Sequence, residues 1–573
     1  MENNDQAQLN KFAEELHSLK YRSEGETFRE SMARMAGALS TSEDHFYQLY
    51  EVLRHQRFMG GGRTQQSLGS PTQTTAYNCA VSGDIEDSFS SIMEILTQAG
   101  ESLRKGSGVG YDFSKIRPKG TNISSLGSAS SGPISFMALF DALCQTVSSA
   151  GHRRGAQMGV LRVDHPNIED YIRAKHNSDK LTAFNLSIAI TDKFMQAVVD
   201  DTTFDLVWEG KTYKTVQAKA LYELIMRSTH SWSEPGFLFI DRINDANNLN
   251  YIETISASNP CGEQPLPPNG VCLLGSFNLT KYVVKDESDS GEVYFSFNYD
   301  LLKRDIPIVV RAMDQVVEQG NFPLPEQEEE GLSKRRMGLG VTGVANAVEA
   351  CAGPYGSPEF LSMYEGIAEL MRDEVYLASS LLAKEFGSFP AYDKELYSKG
   401  EFYNTLPDFV KESIQENGLR NSHLLSIAPC GTISLCANNV SGGIEPVFSL
   451  GYTRTVQTVD GPTYEDVVDY GYKEFGVKGK IAADCTPDEH LAVLALATKY
   501  VDSAVSKTIN VSADIKWDDF KDIYIKAWRL GCKGVTTFNP GGERFGILNE
   551  TAKEEPSAQA CYVDPETGHR SCG

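Results

Sequence analysis

The sequence predicts an α/β fold, and three observations support this prediction. The chain has 573 residues, which is long enough for two or three domains or for one large α/β barrel with flanks. From about Gly61 to Asn549, short apolar runs such as AFNLSIAIT alternate with helical stretches such as SFMALFDALCQTVSSA. Apolar residues make up 41% of the chain and charged residues 23%, a composition typical of a soluble globular protein.

The two ends of the chain differ from this central part. Residues 1–60 are predicted to be helical, because apolar residues recur at three- and four-residue spacing in DQAQLNKFAEELHSLK and SEDHFYQLYEVLRHQRFM. MGGGR then breaks the pattern. The last two dozen residues lack periodicity and are expected to form a mobile tail. We therefore divide the chain into a helical N-terminal region (1–60), an α/β domain (61–549) and a tail (550–573).

Charge and cysteine content exclude several classes of protein. Lys and Arg number 53 and Asp and Glu number 77, so the net charge of −24 disfavours binding to bulk nucleic acid. No apolar run approaches the ~18–20 residues of a membrane-spanning helix, and the N-terminus is polar rather than signal-like. The 11 cysteines are too dispersed for a disulfide-stapled secreted domain. We expect a cytoplasmic protein with no nucleic-acid or membrane partner.

The segment SASNPCGEQPLPPNGVCLLGSFNLT contains the most informative local pattern. Asn259, Cys261 and Glu263 have the spacing that projects side chains to one side of an extended segment. A thiol beside a carboxylate is poorly placed to be a thiolate nucleophile, because the negative charge raises its pKa. The pair suits chemistry in which sulfur exchanges a hydrogen atom and the carboxylate moves a proton. On spacing alone, a surface turn with an incidental cysteine is an equal alternative.

Several segments, taken together and in chain order, resemble a known family. They are NCAVSGDIEDSFSSI, GSGVGYDFSKIRPKG, GPISFMALFDA, RRGAQMGVLRVDHPNIEDYIRAK, NPCGEQPL with CLLGSFNL, RRMGLGVTG, SIAPCGTISL and GCKGVTTF. Over roughly residues 60–540 the chain resembles ribonucleotide reductases, especially the adenosylcobalamin-dependent class II. The resemblance implies a ten-stranded α/β barrel with Cys261 on an inserted finger loop, which would shield a radical from solvent. It also implies reduction of ribonucleoside di- or triphosphates to deoxyribonucleotides for DNA synthesis.

The resemblance implies a role for each residue of the central pattern. Cys261 would be the transient thiyl radical that abstracts the ribose 3′-hydrogen. Glu263 would be the base on the 3′-hydroxyl, and Asn259 would hydrogen-bond the sugar. Cys79 and Cys272 would be the dithiol that reduces the 2′-position and becomes a disulfide.

Two glycine-containing segments are candidates for phosphate or nucleotide binding. APCGTIS has the form of a loop that opens into a helix, where backbone N–H groups bind phosphate well. A helix cap alone is the alternative, whereas the resemblance places the substrate phosphates at Pro429, Cys430, Gly431, Thr432, Ile433 and Ser434. GLGVTG spells G-x-G-x-x-G, but LSKRRM precedes it in place of an apolar strand. We expect no dinucleotide site there and assign its glycines to close helix packing.

A second nucleotide site is implied for an effector. Asp84 matches the family acid that contacts the deoxyribose of a deoxynucleoside triphosphate effector, and Arg117 and Lys119 are candidate phosphate partners. Arg153 and Arg154 lie among glycines in GHRRGAQMG. That segment is either a solvated basic turn or, by resemblance, the loop that couples the effector site to the substrate site. ATP is a further expected effector. The resemblance also favours a homodimer, because the chain has no long insertion between Asp84 and RRGAQMG of the kind that lets some class II monomers imitate a dimer interface.

Cys561 and Cys572 occupy the tail. The alternatives for them are an unstructured end with two exposed thiols or a partial metal site, and their ten-residue separation is wider than zinc sites use. The resemblance implies that they re-reduce the active-site disulfide and pass the electrons from a thioredoxin- or glutaredoxin-like reductant. We expect no site at which side chains of this protein bind a metal ion directly.

The source of the radical follows from two absences and the resemblance. Class I large subunits carry two adjacent tyrosines where this chain has Thr536 and Thr537, and the glycyl-radical segment of class III enzymes does not occur in 530–573. Adenosylcobalamin is therefore the expected cofactor, although no D-x-H-x-x-G cobalamin motif is present. The alternatives are a class I-like large subunit that needs a radical-generating small subunit, and a non-catalytic nucleotide-binding regulator.

Overall fold

The structure is a computed structural model. It describes residues 7–72, 74–123, 127–147, 155–176, 180–288, 290–458 and 461–542, with the backbone alone over 452–466. Within these ranges, no helix combines the length and the apolar character needed to cross a lipid bilayer.

The N-terminal region contains helices that are tied into the rest of the molecule by a strand. Its elements are α1 (Lys11–Tyr21), α2 (Phe28–Leu39), α3 (Glu43–Arg54), β1 (Phe58–Gly60) and α4 (Gly62–Ser67). Polar caps begin the first three helices, and Thr27 and Glu30 form a reciprocal capping box at α2. Because β1 pairs antiparallel with residues 275–277, this region shares a sheet with the α/β part of the chain.

The next part of the chain alternates strands and helices. Its elements are β2 (Cys79–Val81), α5 (Phe89–Arg104), β3 (Gly108–Asp112), β4 (Asn122–Ile123), β5 (Ser128–Ala129), α6 (Pro133–Thr146), β6 (Gln157–Arg162), α7 (Ile168–Ile172), β7 (Phe184–Ile190), α8 (Asp192–Val199), β8 (Thr203–Trp208), β9 (Lys211–Gln217), α9 (Ala218–Trp232), β10 (Gly236–Phe239) and α10 (Ile240–Asp245). This confirms the mixed α/β class that the sequence predicted.

The remaining elements complete the fold. They are β11 (Ala257–Ser258), β12 (Pro265–Leu266), β13 (Val271–Cys272), β14 (Leu274–Asn278), β15 (Val283–Glu287), β16 (Val293–Phe297), α11 (Tyr299–Gln319), α12 (Pro325–Lys334), β17 (Gly338–Thr342), α13 (Val344–Cys351), α14 (Pro358–Phe386), α15 (Lys394–Tyr397), α16 (Glu401–Asn404), α17 (Asp408–Asn417), α18 (Gly431–Cys436), β18 (Gly451–Thr458), β19 (Gly461–Val468), α19 (Pro487–Lys499), β20 (Thr508–Asn510), α20 (Trp517–Arg529) and β21 (Gly534–Phe538). Short helical turns span Leu279–Tyr282, Gly471–Phe475 and Ala482–Asp484.

An eight-stranded sheet forms the centre of the molecule, in the order β13-β2-β3-β6-β7-β10-β21-β20. The five strands from β2 to β10 are parallel to one another, as helical crossovers between them require. Strand β21 runs antiparallel to β10 and parallel to β20. The sheet therefore consists of five parallel strands, with β13 antiparallel to them at one edge and the pair β21 and β20 antiparallel to them at the other.

A second sheet and two isolated bridges continue this pattern. Strands β1, β14 and β17 form a three-stranded sheet in which β14 and β17 are parallel. Beyond β17, Leu339 bridges to Leu425, and Ile427 bridges to Val505. Among the described residues these ladders do not join into one closed ring, so the sheets observed here are open.

The side chains of the eight-stranded sheet separate into two apolar cores, because successive residues of a strand point to opposite faces. The larger core lies under the helices and includes Ala80 and Phe237. The smaller core lies on the opposite face and includes Cys79, Cys272 and Leu238, together with residues of α1 and α18. Both faces are thus covered, as parallel sheets require.

The glycines of GLGVTG have a role other than the helix packing predicted for them. Gly338 and Gly340 belong to β17 and lie against the neighbouring strand-like segment 424–427, whereas Gly343 follows the strand with φ +72° and directly precedes α13. A Cβ atom on Gly340 would overlap the carbonyl oxygen of Ser426, and one on Gly338 would overlap the side chains of Gln264 and Ser426. The missing side chains allow close approach of two backbone segments, so the prediction of helix packing was wrong.

Candidate active site

A tight hairpin carries the Asn-Pro-Cys-Gly-Glu pattern onto the face of the eight-stranded sheet that bears the smaller core. Strands β11 and β12 pair antiparallel and enclose residues 259–264. The side-chain Oδ1 of Asn259 accepts a hydrogen bond of 3.0 Å from the backbone N–H of Gln264. The backbone N–H of Asn259 donates a second bond of 3.0 Å to the carbonyl oxygen of Gln264. Gly262 has φ +84°, a conformation that favours glycine, and no atom lies within 4 Å of its Cβ direction. We call residues 259–264 the finger loop.

The parallel half of the sheet makes room for the finger loop with glycines. On β3, a Cβ atom on Gly110 would overlap the carbonyl oxygen of Ser258, and one on Gly108 would come within 3.0 Å of the Pro260 ring. From β7, Nδ2 of Asn185 donates a hydrogen bond of 2.8 Å to the carbonyl of Pro260. The N-terminal end of the loop is therefore seated by shape against the first half of the sheet.

The other end of the finger loop, at Glu263 and Gln264, is held by hydrogen bonds to Ala504 and Ser426. The backbone N–H of Ala504 donates to the carbonyl oxygen of Glu263 at 3.0 Å. The Gln264 side chain donates to Oγ of Ser426 at 2.8 Å, and both residues are buried. Sequence reasoning did not identify Gln264, although it lies directly after Glu263 in the motif.

The carboxyl of Glu263 lies in an environment that disfavours its charge. Burial raises the pKa of Glu263 well above its usual range, and the nearby thiols of Cys261 and Cys79 act in the same direction. The amide of Asn259 acts in the opposite direction. This amide lies close to the carboxyl but is not hydrogen-bonded to it. Nδ2 of Asn259 and Oε2 of Glu263 are both buried, and neither atom has a hydrogen-bond partner. Two unsatisfied polar atoms at one place indicate a site for a polar ligand.

Cys261 is the most accessible of the three residues. It is partly exposed at the tip of the loop, whereas Asn259 and Glu263 are buried. The structure therefore brings the three residues together, but in a turn rather than in the extended segment from which their common orientation was argued. Of these three side chains, only that of Cys261 is accessible to solvent.

Cys79 and Cys272 are direct neighbours across an antiparallel ladder. They are register partners on β2 and β13, and both are buried and not joined in a disulfide. Directly opposed residues in such a ladder have Cα atoms about 4.5–5.5 Å apart, which lies within the range that a disulfide spans. Burial raises the pKa of Cys272 well above its usual range, and Cys79 and Glu263 act in the same direction. Cys272 is thus held as a neutral thiol beside the finger carboxyl.

The loop at residues 429–434 opens into α18, as the sequence predicted. Cys430 is the residue before this helix and has φ +57°. Its Sγ lies 3.0 Å from Oγ of Ser276, and burial raises its pKa to about 11. Ser434 is buried, and its Oγ donates to the carbonyl of Gly431 at 2.9 Å. Helix α18 packs on α1 and shares the smaller core with Ala257 and Leu266 of the strands that flank the finger loop.

Two of the predicted effector residues, the exposed Asp84 and the partly buried Arg117, form a cluster of ion pairs near the start of α5. Asp84 pairs with Lys115 at 3.0 Å, and Arg117 pairs with Asp87 at 2.6 Å. Sequence reasoning missed Lys115, whose side chain lies between Asp84 and Glu86.

Other predicted residues lie apart from this cluster or outside the structure. Lys119 is exposed, and its backbone N–H binds Oδ1 of Asn167 at 2.8 Å. Arg153, Arg154, Cys561 and Cys572 lie outside the described residues.

Comparison with known proteins identifies a family. The model of the family described as "Ribonucleotide reductase, barrel domain" matches residues 78–538. The chain is 33% identical to the vitamin B12-dependent ribonucleoside-diphosphate reductase of Mycobacterium tuberculosis (strain CDC 1551 / Oshkosh), over 93% of this chain and 79% of that protein. It is 31% identical to the enzyme of the same name from Thermoplasma acidophilum, over 90% and 68%. It is 26% identical to the vitamin B12-dependent ribonucleotide reductase of Streptomyces coelicolor, over 90% and 61%.

Proposed function

The chain belongs to the ribonucleotide reductase family, and from that premise we propose that it makes 2′-deoxyribonucleotides by thiyl-radical chemistry with adenosylcobalamin as its cofactor. One observation carries this proposal. The buried Glu263 carboxyl lies within electrostatic reach of Cys261 on the finger loop and of the opposed thiols Cys79 and Cys272. A hydrogen-atom acceptor, a proton acceptor and a two-electron reductant therefore share one site.

In the first step, Cys261 in its thiyl form abstracts the 3′-hydrogen atom of the ribose. Glu263 accepts the proton of the 3′-hydroxyl, and its raised pKa makes its ionised form a stronger base. Nδ2 of Asn259 donates to a sugar oxygen. The unpartnered Nδ2 of Asn259 and Oε2 of Glu263 support these roles, because a bound sugar would supply the hydrogen bonds they lack.

In the second step, the 2′-hydroxyl leaves as water and the dithiol supplies two electrons. Cys79 and Cys272 form one S–S bond, which their register across the ladder supports. One of their hydrogens leaves with the 2′-hydroxyl as water, the other is bound at the 2′-carbon, and Glu263 returns its proton to the 3′-oxygen. Cys261 then returns the hydrogen atom to the 3′-carbon and recovers its thiyl form. One ribonucleotide and one dithiol thus become one deoxyribonucleotide, one disulfide and one water.

The residues at the tip of the finger loop fit a bulky cofactor. Cys261 is partly exposed, and the space around the Cβ direction of Gly262 is open to 4 Å. The tip at Cys261 and Gly262 would face adenosylcobalamin, which when bound supplies the radical that converts the thiol to its thiyl form. The protein's own contribution is to present one sulfur atom at this tip while Glu263 and both reducing thiols stay buried.

We further propose that the strands close into a ten-stranded barrel around the finger loop. The ten would be β2, β3, β6, β7, β10, β21, β20, the segment 425–427, β17 and β14. The bridges from Leu339 to Leu425 and from Ile427 to Val505 support the second half of this order. At the other junction, β14 follows β13 after one residue, and β13 pairs with β2. A closed wall would limit access of solvent and stray reductants to the radical.

Substrate and effector would bind at separate places. The substrate phosphates, as di- or triphosphate, would lie at residues 429–434, where α18 shares a core with the strands that flank the finger loop. A deoxynucleoside triphosphate or ATP effector would bind near Asp84, Arg117 and Lys119. Lys115 is added to that set because it pairs directly with Asp84. The Arg153–Arg154 loop would couple the two sites.

The remaining assignments concern the assembly and the supply of electrons. The division into 1–60, 61–549 and 550–573 is retained, with Cys561 and Cys572 passing electrons from a thioredoxin- or glutaredoxin-like protein to the buried dithiol. A homodimer and a cytoplasmic location complete the proposal.

The experiment is a turnover assay of the purified chain with adenosylcobalamin, dithiothreitol and each of the four ribonucleotides, as diphosphates and as triphosphates. We expect deoxyribonucleotide formation with the cofactor and none in its absence. Cys261→Ser is the control, because serine keeps the size but its O–H bond is too strong for the exchange. Turnover that requires a separate metalloprotein would establish the class I alternative. Nucleotide binding without turnover under any condition would establish the regulator.

A further inference from the structure

A buried lysine near the end of the described chain binds three consecutive carbonyl groups. Nζ of Lys533, at the start of β21, donates to the backbone oxygens of Val501, Asp502 and Ser503 at 3.0, 2.9 and 2.5 Å. Its three donors are all used, and the residue is 6% exposed. One side chain therefore holds the backbone of three successive residues in a single conformation.

The side chain of Asp502 holds the same segment from its other side. Its Oδ2 accepts hydrogen bonds of 2.7 Å from the backbone N–H of Leu424 and from the hydroxyl of Tyr376. Its Oδ1 accepts bonds from the backbone N–H groups of Leu425 at 2.9 Å and Ser503 at 2.7 Å. The carboxylate thereby fixes segment 501–503 against the strand-like segment 424–427.

This fixed segment leads directly to the finger loop. Ala504 follows Ser503, and its N–H donates to the carbonyl of Glu263 at 3.0 Å. The carbonyl of Ala504 accepts a bond of 3.1 Å from Ile427. The carbonyl of Ser503 that Lys533 binds and the N–H of Ala504 that contacts Glu263 therefore belong to the same peptide group.

A role in stability alone accounts poorly for these two charged groups. Burial lowers the pKa of Lys533 to about 8, so the ammonium still carries its proton at neutral pH, and Asp502 favours that charge. Burial raises the pKa of Asp502, which its hydrogen bonds oppose. Buried charges of this kind rarely stabilise a fold more than apolar residues of the same volume. Their place next to the finger loop gives them another use.

We infer that Lys533 and Asp502 are positioning residues that set the place of Glu263 through the backbone of Ser503 and Ala504. The inference rests on the proposed function, in which Glu263 must reach the 3′-hydroxyl of the substrate. A displacement of about 1 Å in such a group can cost on the order of 100-fold in rate. Neither residue is bonded to Glu263 itself. Their effect passes through the hydrogen bond from Ala504 to Glu263 and through segment 424–427, where Ser426 accepts from Gln264.

The test compares Lys533→Met, which keeps length and loses every donor, with Lys533→Gln, which keeps two donors and no charge. We expect kcat to fall about 10- to 100-fold in the methionine variant and less in the glutamine variant, with the substrate Kd within two-fold of the unmodified chain. The second readout is alkylation of Cys261 by iodoacetamide under native conditions, followed by mass spectrometry. Loosening of the loop should speed this labelling several-fold, relative to the partly exposed Cys351 as internal reference.

Lys507→Met is the matched control. Lys507 is equally buried, but it binds Glu445 at 2.6 Å and none of the three carbonyls. We expect this variant to lower the Tm without speeding the labelling of Cys261. Unchanged kcat and labelling in Lys533→Met would overturn the inference, as would losses in kcat, Kd and Tm that are equal in the methionine and glutamine variants. Labelling needs no turnover, so it decides the role of Lys533 even if the proposed reductase activity is absent.

Discussion

The two ends of the finger loop are held by different means. The Asn259–Pro260 end lies against Gly108 and Gly110, where any side chain on β3 would occupy the space of the loop. The Glu263–Gln264 end is held by hydrogen bonds from segments 424–427 and 501–506. The Asn259–Pro260 end also accepts one hydrogen bond, from Asn185 to the Pro260 carbonyl. The comparison teaches that the loop is wedged mainly by shape on one side and tethered by hydrogen bonds on the other. The carboxyl that must act on the substrate lies at the tethered end, where small adjustments remain possible.

The largest expected effect is at the carboxyl itself. Glu263→Gln should lower kcat by about 10²–10⁴-fold, because the base is lost. The same change should raise the Tm. Folding raises the pKa of this carboxyl. Above the pKa that the group has in the unfolded chain, ionisation therefore stabilises the unfolded state more than the folded state. The resulting loss of folding stability grows with pH until the pH reaches the pKa of the folded protein. Thermal unfolding at pH 4.5 and pH 8 should show a larger gain at pH 8. A Tm that falls at both pH values would contradict a destabilising carboxyl.

The wedge is tested at Gly110. Gly110→Ala should lower kcat on the order of 100-fold and lower the Tm, because the added carbon would overlap the carbonyl oxygen of Ser258 and displace the loop. Gly366→Ala is the control, since this glycine lies in α14 and its Cβ direction meets only the hydroxyl of Tyr299 at 3.8 Å. Turnover of the Gly110 variant close to that of the unmodified chain would show that the loop adjusts to the added carbon.

The tether is tested by removing one buried hydrogen bond. Gln264→Ala should lower kcat about 10-fold and cost about 1–3 kcal/mol of unfolding free energy, because Oγ of Ser426 loses its donor. Ser426→Ala should act similarly, and the double variant should lose less than the sum of the two single changes. Additive losses in the double variant would show that the two side chains act independently, in disagreement with a shared tether.

The smallest effect on basal turnover is expected outside both ends of the loop. Asp84→Ala removes the carboxylate that pairs with Lys115 on the surface. Effectors commonly change affinity about 5- to 150-fold, and this variant should lose most of that response. Turnover without effector should stay within about two-fold, since surface ion pairs contribute little to stability. Rates for the four ribonucleotides, measured with and without each deoxynucleoside triphosphate, provide the check. An effector response equal to that of the unmodified chain would remove Asp84 from the site.

The sequence by itself determined the fold class and the chemical groups. The alternation of apolar runs and helical stretches was sufficient for a mixed α/β fold, because each run buries both faces of a parallel strand. The order of the motifs was sufficient for the family, and the caps of the N-terminal helices are local signals. The beginning of α18 at Gly431 was also predictable, since a glycine-containing turn before a helix is encoded over a few residues.

Tertiary structure alone decided which of these groups meet. Nothing near Cys79 indicates that it lies opposite Cys272, because strand register depends on the packing of the whole sheet. The glycines of GLGVTG were misassigned to helix packing, since closeness to Ser426 is a property of two distant segments. Lys533 and Asp502 were invisible for the same reason. An isolated lysine or aspartate in a sequence resembles a solvated surface residue, and only the fold buries both beside the backbone that holds Glu263.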